Sequence, residues 1–355
     1  QGCYFMLVLA VALFAASQYF SPIILRDIIE SPQVYGATAD YLHWRTYGIF
    51  FSFLCVMFRA YYVGITQTKI LTVNSIVMLL SNVALNYCLI FGKGGFPAAG
   101  IAGAAIASSV SEAVSLLFFI IYTSMTADKR KYGFRRAFTL RPHLLKGMLS
   151  ISGWTMVQSF ISVSIWFIFF LAIEHLGERP LAVTNIVRNI SALLIMVISA
   201  FATTAGALIS NQIGAGEQRC LFKTCGMTLK LTYAILIPLL IILCLFPESV
   251  LRAFTDSPSL IAASVNSVYV MASSTLIMAP SFILFNAVSG TGNTRAGFIM
   301  EMISLAVYTA VIYYGIIRLK PDVALCWFSE HVYGVTLIFL AWWYLKSGKW
   351  RGKKV

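Results

Sequence analysis

Apolar runs long enough to cross a bilayer recur from the first residues of the chain to the last, separated by short polar turns. A helix needs about 20 such residues to traverse hydrocarbon. Backbone polar groups in lipid must be paired within the spanning structure, so runs of this length imply helices. Ten spans are expected, near residues 4–25, 41–66, 69–92, 98–126, 143–176, 180–212, 219–246, 259–289, 296–318 and 322–347. Composition agrees, with hydrophobic residues at 59% of 355 and charged ones at 11%, against about 25% charged in soluble domains. The chain reads as an all-α integral membrane protein.

A net charge of +13 would suggest a nucleic-acid partner if it were clustered on one surface. It is instead distributed by loop. Sixteen Lys/Arg fall in alternate loops and ends that share one side: Lys69, seven between Lys129 and Lys146, Arg219, Lys223, Arg295, and five from Lys346 to Lys354. The opposite loops hold six: Arg26, Lys93, Arg179, Arg252, Arg318 and Lys320. Cytoplasmic loops carry such an excess, which puts the C-terminus and the loop from Asp128 to Lys146 in the cytoplasm. The charge is topogenic, and nucleic-acid binding is rejected.

The helices repeat. Ile24-Leu25-Arg26 and Ser31-Pro32 recur as Val250-Leu251-Arg252 and Ser257-Pro258, a shift of 226, and Gly64 to Lys69 recurs at the same shift as Gly290 to Arg295. Ser111-Glu112 is mirrored by Ser329-Glu330, a shift of 218. An even number of helices between copies keeps their orientation, so the repeats are parallel, related by an axis along the membrane normal. Extending the second copy backwards predicts twelve helices in two pseudo-symmetric bundles of six. This chain would then carry 1–126 as an N-terminal bundle without its first two helices, 127–142 as a cytoplasmic linker, and 143–355 as the complete C-terminal bundle.

No nucleophile elbow, phosphate loop or metal-ligand spacing appears, so an intramembrane enzyme lacks a visible catalytic set; neither a cofactor nor a metal is expected. The seven cysteines lie mostly in apolar helices without pairing motifs, as buried small hydrophobes. What stands out is polar chemistry inside apolar spans, which is expensive and so a functional hypothesis by default. Glu112 lies about 14 residues, roughly 21 Å, into its span; it reads either as a proton or cation site or as a structural acid bonded to Ser108, Ser109 and Ser111. Glu330 is its repeat partner, nearer an interface and beside His331. Glu301, near a helix start, can reach the interface and pair with Arg295, a structural reading. Gln158 and Ser162 share a helix face with Trp166 nearby, and Asn185 and Arg188 sit together on the next span. These five are candidates for a substrate cavity, where aromatic and amide groups suit organic cations, or for an ordinary helix interface. Asn82 and Asn86 can knit helices together; Pro238 and Pro280 mark kinks.

The stretch from Arg59 to Glu112 carries a Gly-x-x-x-Thr-Lys turn at Gly64 to Lys69, a helix with paired asparagines, and a Phe-Gly-x-x-Gly-Phe-Pro run continuing through small residues from Phe91 to Ala107. With Ser210 to Glu217, it resembles the multidrug and toxic compound extrusion family of membrane antiporters, over nearly the whole chain. The resemblance implies export of organic cations or drugs in exchange for protons or sodium, by alternating access, in a bacterial inner membrane with lipids around it. A carboxyl in hydrocarbon can hold a proton or balance a cation, the two states such exchange requires. In one branch of the family, acids in the seventh and tenth helices couple the cation. The corresponding positions here, Phe160–Ser162 and Met278, are not acids; another branch uses an aspartate in the first helix, which this reading places before Gln1. A flippase for lipid-linked oligosaccharides is the rival, favoured if Arg59 and Arg188 both face inward.

Overall fold

The computed structural model describes residues 1–28, 32–126, 141–348 and 350. Most of the expected linker, 127–140, and the basic residues Lys349, Arg351, Lys353 and Lys354 lie outside them. The described residues are helical, and nine of their helices are long and apolar enough to cross a membrane, or up to ten with one bent pair taken as a single span. The chain forms two compact units, Gln1–Met148 and Leu149–Val355.

The first unit holds α1 (Gly2–Ile28), α2 (Pro32–Arg45), α3 (Gly48–Gly64), α4 (Lys69–Phe91), α5 (Gly100–Thr126) and the first turns of α6 (Pro142–Glu174). One expectation is corrected. In place of an unbroken helix over 41–66, the helix starts at Pro32, stops at Arg45 and resumes at Gly48, with a 45° bend between the halves. A break frees carbonyls from the helical ladder, and hydroxyls take them: Thr46 Oγ1 donates to His43 O at 3.0 Å and Ser109 Oγ on α5 to Trp44 O at 3.0 Å. Hydropathy alone does not mark such a break, because it averages over the polar α2 and the mostly apolar α3 that follows it. Further on, Gly92 ends α4 in the left-handed conformation (φ 66°), which glycine adopts without cost. Gly103 lets α5 close on α4; a Cβ there would lie 2.5 Å from Leu89 O.

The second unit holds the rest of α6, then α7 (Glu178–Gly214), α8 (Leu221–Leu245), α9 (Pro247–Leu251), α10 (Pro258–Gly290), α11 (Thr294–Val311), α12 (Val323–Cys326) and α13 (Ser329–Ser347). A seven-residue π-helical stretch, Ile312–Arg318, continues α11. The unit is built on α7 against α10. Their backbones touch where Gly206 meets Gly290: a Cβ on Gly290 would stand 2.5 Å from Gly206 O, and one on Gly206 2.9 Å from Asn286 O. Ala205, Ile209, Ala287 and Val288 fill the core beside that seam, and Phe169, Ile198, Leu236 and Met271 a second cluster of the unit; all eight are fully buried. Pro280, inside α10, has no N–H to give to the carbonyl four residues back. Tyr233 Oη on α8 donates to that carbonyl, Leu276 O, at 2.7 Å, which pins α10 at its proline. The 226-residue shift carries α2 and α3 together onto α10, and α4 onto α11 with its π-helical continuation.

Candidate functional site

Glu301 on α11 is 3% exposed. Its register, not its distance from the helix start, decides its surroundings: with Leu305 and Tyr308 it lies on one stripe of α11, spaced by four and seven residues. That stripe faces into the second unit. Glu301 Oε1 accepts from Ser162 Oγ on α6 at 2.7 Å and from Tyr333 Oη on α13 at 2.9 Å. Its Oε2 is buried without a hydrogen-bond partner among the described residues. The interfacial pairing with Arg295 does not form, because that guanidinium lies 5.8 Å over the Trp154 ring.

Glu330 opens α13, with Tyr333 one turn on. Its Oε1 accepts from Tyr308 Oη at 2.7 Å. The pairing is crossed: the acid of α11 binds the tyrosine of α13, and the acid of α13 binds the tyrosine of α11. The two tyrosine rings meet edge to face with centroids 5.7 Å apart. The acids and tyrosines open onto a cavity of about 230 Å³, completed by Ser162, Trp166, Met278 and Phe282. Met278 and Phe282 flank Pro280, so the pinned segment of α10 forms one wall. Among the described residues, no Lys, Arg or His lines this cavity.

Of the residues singled out from the sequence, Glu330, Ser162 and Trp166 come together here. Ser162 Oγ also lies 2.9 Å from Gln158 O, so its single proton is divided between that carbonyl and Glu301, and Gln158 contributes backbone one turn away. Asn185 and Arg188 do not line the cavity. The Arg188 guanidinium lies 5.1 Å over Phe170, whose ring packs 4.8 Å from Trp166, and its Nε is buried without a partner among the described residues. Asn82 and Asn86 bond along α4, Nδ2 of Asn86 to Oδ1 of Asn82 at 2.9 Å, rather than joining two helices. Arg59 is exposed. Glu301, Tyr308 and Tyr333 were the residues whose role the sequence reading missed. Their signal was an acid and a tyrosine seven apart on one span and three apart on the next, so that each span presents both on one face.

Glu112 belongs to the first unit and sits in different chemistry. Both oxygens take a guanidinium fork: Arg45 Nη2 to Oε1 at 2.7 Å and Nη1 to Oε2 at 2.9 Å. A Cβ on Gly48 would collide with Arg45 Nη1 and Glu112 Oε2, so the ion pair needs glycine there. Of the serines expected around Glu112, Ser109 bonds Trp44 O and Ser111 bonds Ala107 O at 2.5 Å. Deeper in the unit, Asn74 is fully buried and donates to Ser115 Oγ at 2.8 Å.

A family model described as MatE matches residues 1–88 and 155–314. The chain is 25% identical over 268 residues to an uncharacterized transporter, YisQ, of Bacillus subtilis, covering 72% of this chain and 56% of that protein. It is 25% identical over 291 residues to a probable multidrug resistance protein, NorM, of Thermotoga maritima, covering 77% and 59%. The chain thus spans less than two thirds of the length of these curated relatives. Its fold is shared with a multidrug resistance MATE family transporter solved in an outward-facing conformation, at TM-score 0.85 and 15% identity, over 98% of this chain and 78% of the other.

Proposed function

The chain belongs to the MatE family, and from that premise we propose that it acts as a secondary antiporter, exporting organic cations or drugs against an inward flow of protons or sodium. The family is one of transporters, and the chain is an integral membrane protein with the MATE fold. The observation that carries the proposal is the cavity of the second unit, where two acids face an aromatic chamber that no basic side chain lines among the described residues. A protonated carboxyl is neutral and tolerable in hydrocarbon; an ionised one needs a counter-charge. Cargo and coupling cation can therefore replace one another at the same oxygens, and alternating access would expose the cavity to each side in turn.

Glu301 and Glu330 are the coupling acids in this reading, Ser162, Tyr308 and Tyr333 orient them, and Trp166 and Phe282 receive the cargo by cation–π contact. Glu112 has its own arginine and is assigned a structural part. The bias of basic residues, sixteen against six, supports an inner membrane topology with residues 127–142 and the C-terminus in the cytoplasm. An acidic chamber favours cationic cargo over the anionic headgroup a lipid-linked oligosaccharide flippase would handle.

The test is efflux of a fluorescent organic cation from sealed vesicles under an imposed proton or sodium gradient. Gradient-driven efflux that Glu301→Gln abolishes and Glu112→Gln preserves, both in folded protein, is the expected result. Equal flux with and without either gradient would overturn antiport.

A further inference from the structure

We infer that the cavity selects dications, organic molecules with two separated positive charges, over monocations of the same size. The inference rests on the cation-exchange reading above and deepens it. The cavity holds two carboxyls with different hydroxyl partners: Glu301 has Ser162 and Tyr333, Glu330 has Tyr308. Cationic heads of the same unit are engaged outside it, Arg188 on Phe170 and Arg295 on Trp154. His331, next to Glu330 in the chain, turns its Nε2 to Ser273 Oγ at 2.9 Å. The two acids therefore depend on protons or on cargo for charge balance, whereas Glu112 has its balance built in.

The exchange can be written so that charge closes. In the empty cavity both acids keep their protons and the site is neutral. When a dication enters, both O–H bonds break, two protons leave to water, and two carboxylates face two positive charges; the net charge of the cavity plus cargo is unchanged. A monocation displaces one proton, and the second acid stays neutral and offers only a hydrogen bond. The dication gains a second ion pair in a medium of low dielectric, where such a pair is strong once its desolvation is offset. The aromatic wall suits an organic ion, because Trp166, Phe282 and the tyrosines can contact alkylammonium groups; a bare metal ion would leave that wall unused.

The experiment compares two permanently charged, matched probes in vesicles containing the full-length protein: butyltrimethylammonium and the bis-trimethylammonium ion with a butylene bridge. Flux and proton release are followed together. The expected result is two protons released per dication and one per monocation, with dication transport favoured by about tenfold, the worth of about 1.4 kcal/mol. Glu330→Gln is expected to remove the dication's advantage, leaving the two probes at equal rates, and to lower the dication's proton count from two to one. Should that variant misfold, the proton counts of the unaltered protein, two per dication against one per monocation, decide. Equal rates and equal proton counts for both probes would overturn the inference. So would a variant that lowers both probes alike in folded protein, or transport of a fluorescent monocation without transport of the dication; in each of these the antiport reading stands. Failure of every cation to move under either gradient would remove that reading and the inference with it.

Discussion

Glu112 and Glu330 stand at matching positions of the two repeated segments, yet the two units surround them in opposite ways. In the first unit the acid meets Arg45 in a two-pronged ion pair. The 226-residue shift carries Arg45 onto Met271, a fully buried methionine, so the second unit has no arginine to offer at that place. The same shift carries Ser75 onto Glu301, which adds a second acid, and Gly48 onto Ser274, which has no guanidinium to accommodate. One copy has closed its carboxylate into a structural clasp beside the break between α2 and α3. The other keeps two carboxyls in a chamber with only hydroxyl partners. The two copies share a register, and a few side chains decide whether an acid in that register meets a guanidinium or only hydroxyls.

The largest effect should come from breaking the clasp. Arg45→Leu leaves Glu112 without a counter-charge; loss of one partner of a buried pair costs about 3–5 kcal/mol, and with the Arg45 side chain 34% exposed solvent screening brings this down to about 2–3 kcal/mol. Thermal unfolding of the purified protein should show the loss, and the double change Arg45→Leu with Glu112→Leu should recover most of it. Recovery would mark the pair as structural; no loss in the single variant would erase the contrast between units. Next, Glu301→Gln should reduce gradient-driven efflux by about a hundredfold with little change in unfolding temperature, a loss of about 2.7 kcal/mol. The same vesicle assay should show Glu112→Gln retaining efflux while unfolding at lower temperature. A reversed pattern would exchange the roles of the two units.

Each unit also has a glycine seam, and the two can be weighed against each other. Gly206→Val and Gly103→Val each drive a side chain into a neighbouring backbone, at about 1–3 kcal/mol or more. Hydrogen exchange should show protection lost in the second unit for Gly206→Val and in the first for Gly103→Val; spread to both units from either would show that they unfold together. The smallest effect is expected from Tyr333→Phe, which removes one of two donors to Glu301 Oε1. A loss of about 1 kcal/mol for one hydrogen bond corresponds to roughly fivefold in efflux. A much larger loss would make the tyrosine part of the proton path and not only an anchor.

Most of the helix plan was legible from hydropathy, because a bilayer rewards length and apolarity with little regard to neighbours. The bend at Thr46 was not, since it depends on Ser109 and Glu112 arriving from α5, more than sixty positions on. Among the site residues, Glu330, Ser162 and Trp166 announced themselves as polar or aromatic groups in apolar spans. Glu301 did not, because five or so residues from a helix start it could equally have reached the surface; only the packing of α11 against α6 and α13 buries it.

By itself the sequence determined that this chain is a set of membrane helices, repeated with a shift of 226, with a few acids that hydrocarbon would not tolerate idle. These are properties of single segments, set by transfer energies and helical period. Only the tertiary structure decided which acid is neutralised and which is free. The surroundings of an acid are a matter of a few ångströms, and the groups that set them, the Arg45 guanidinium for Glu112 and the crossed tyrosine hydroxyls for Glu301 and Glu330, come from other helices.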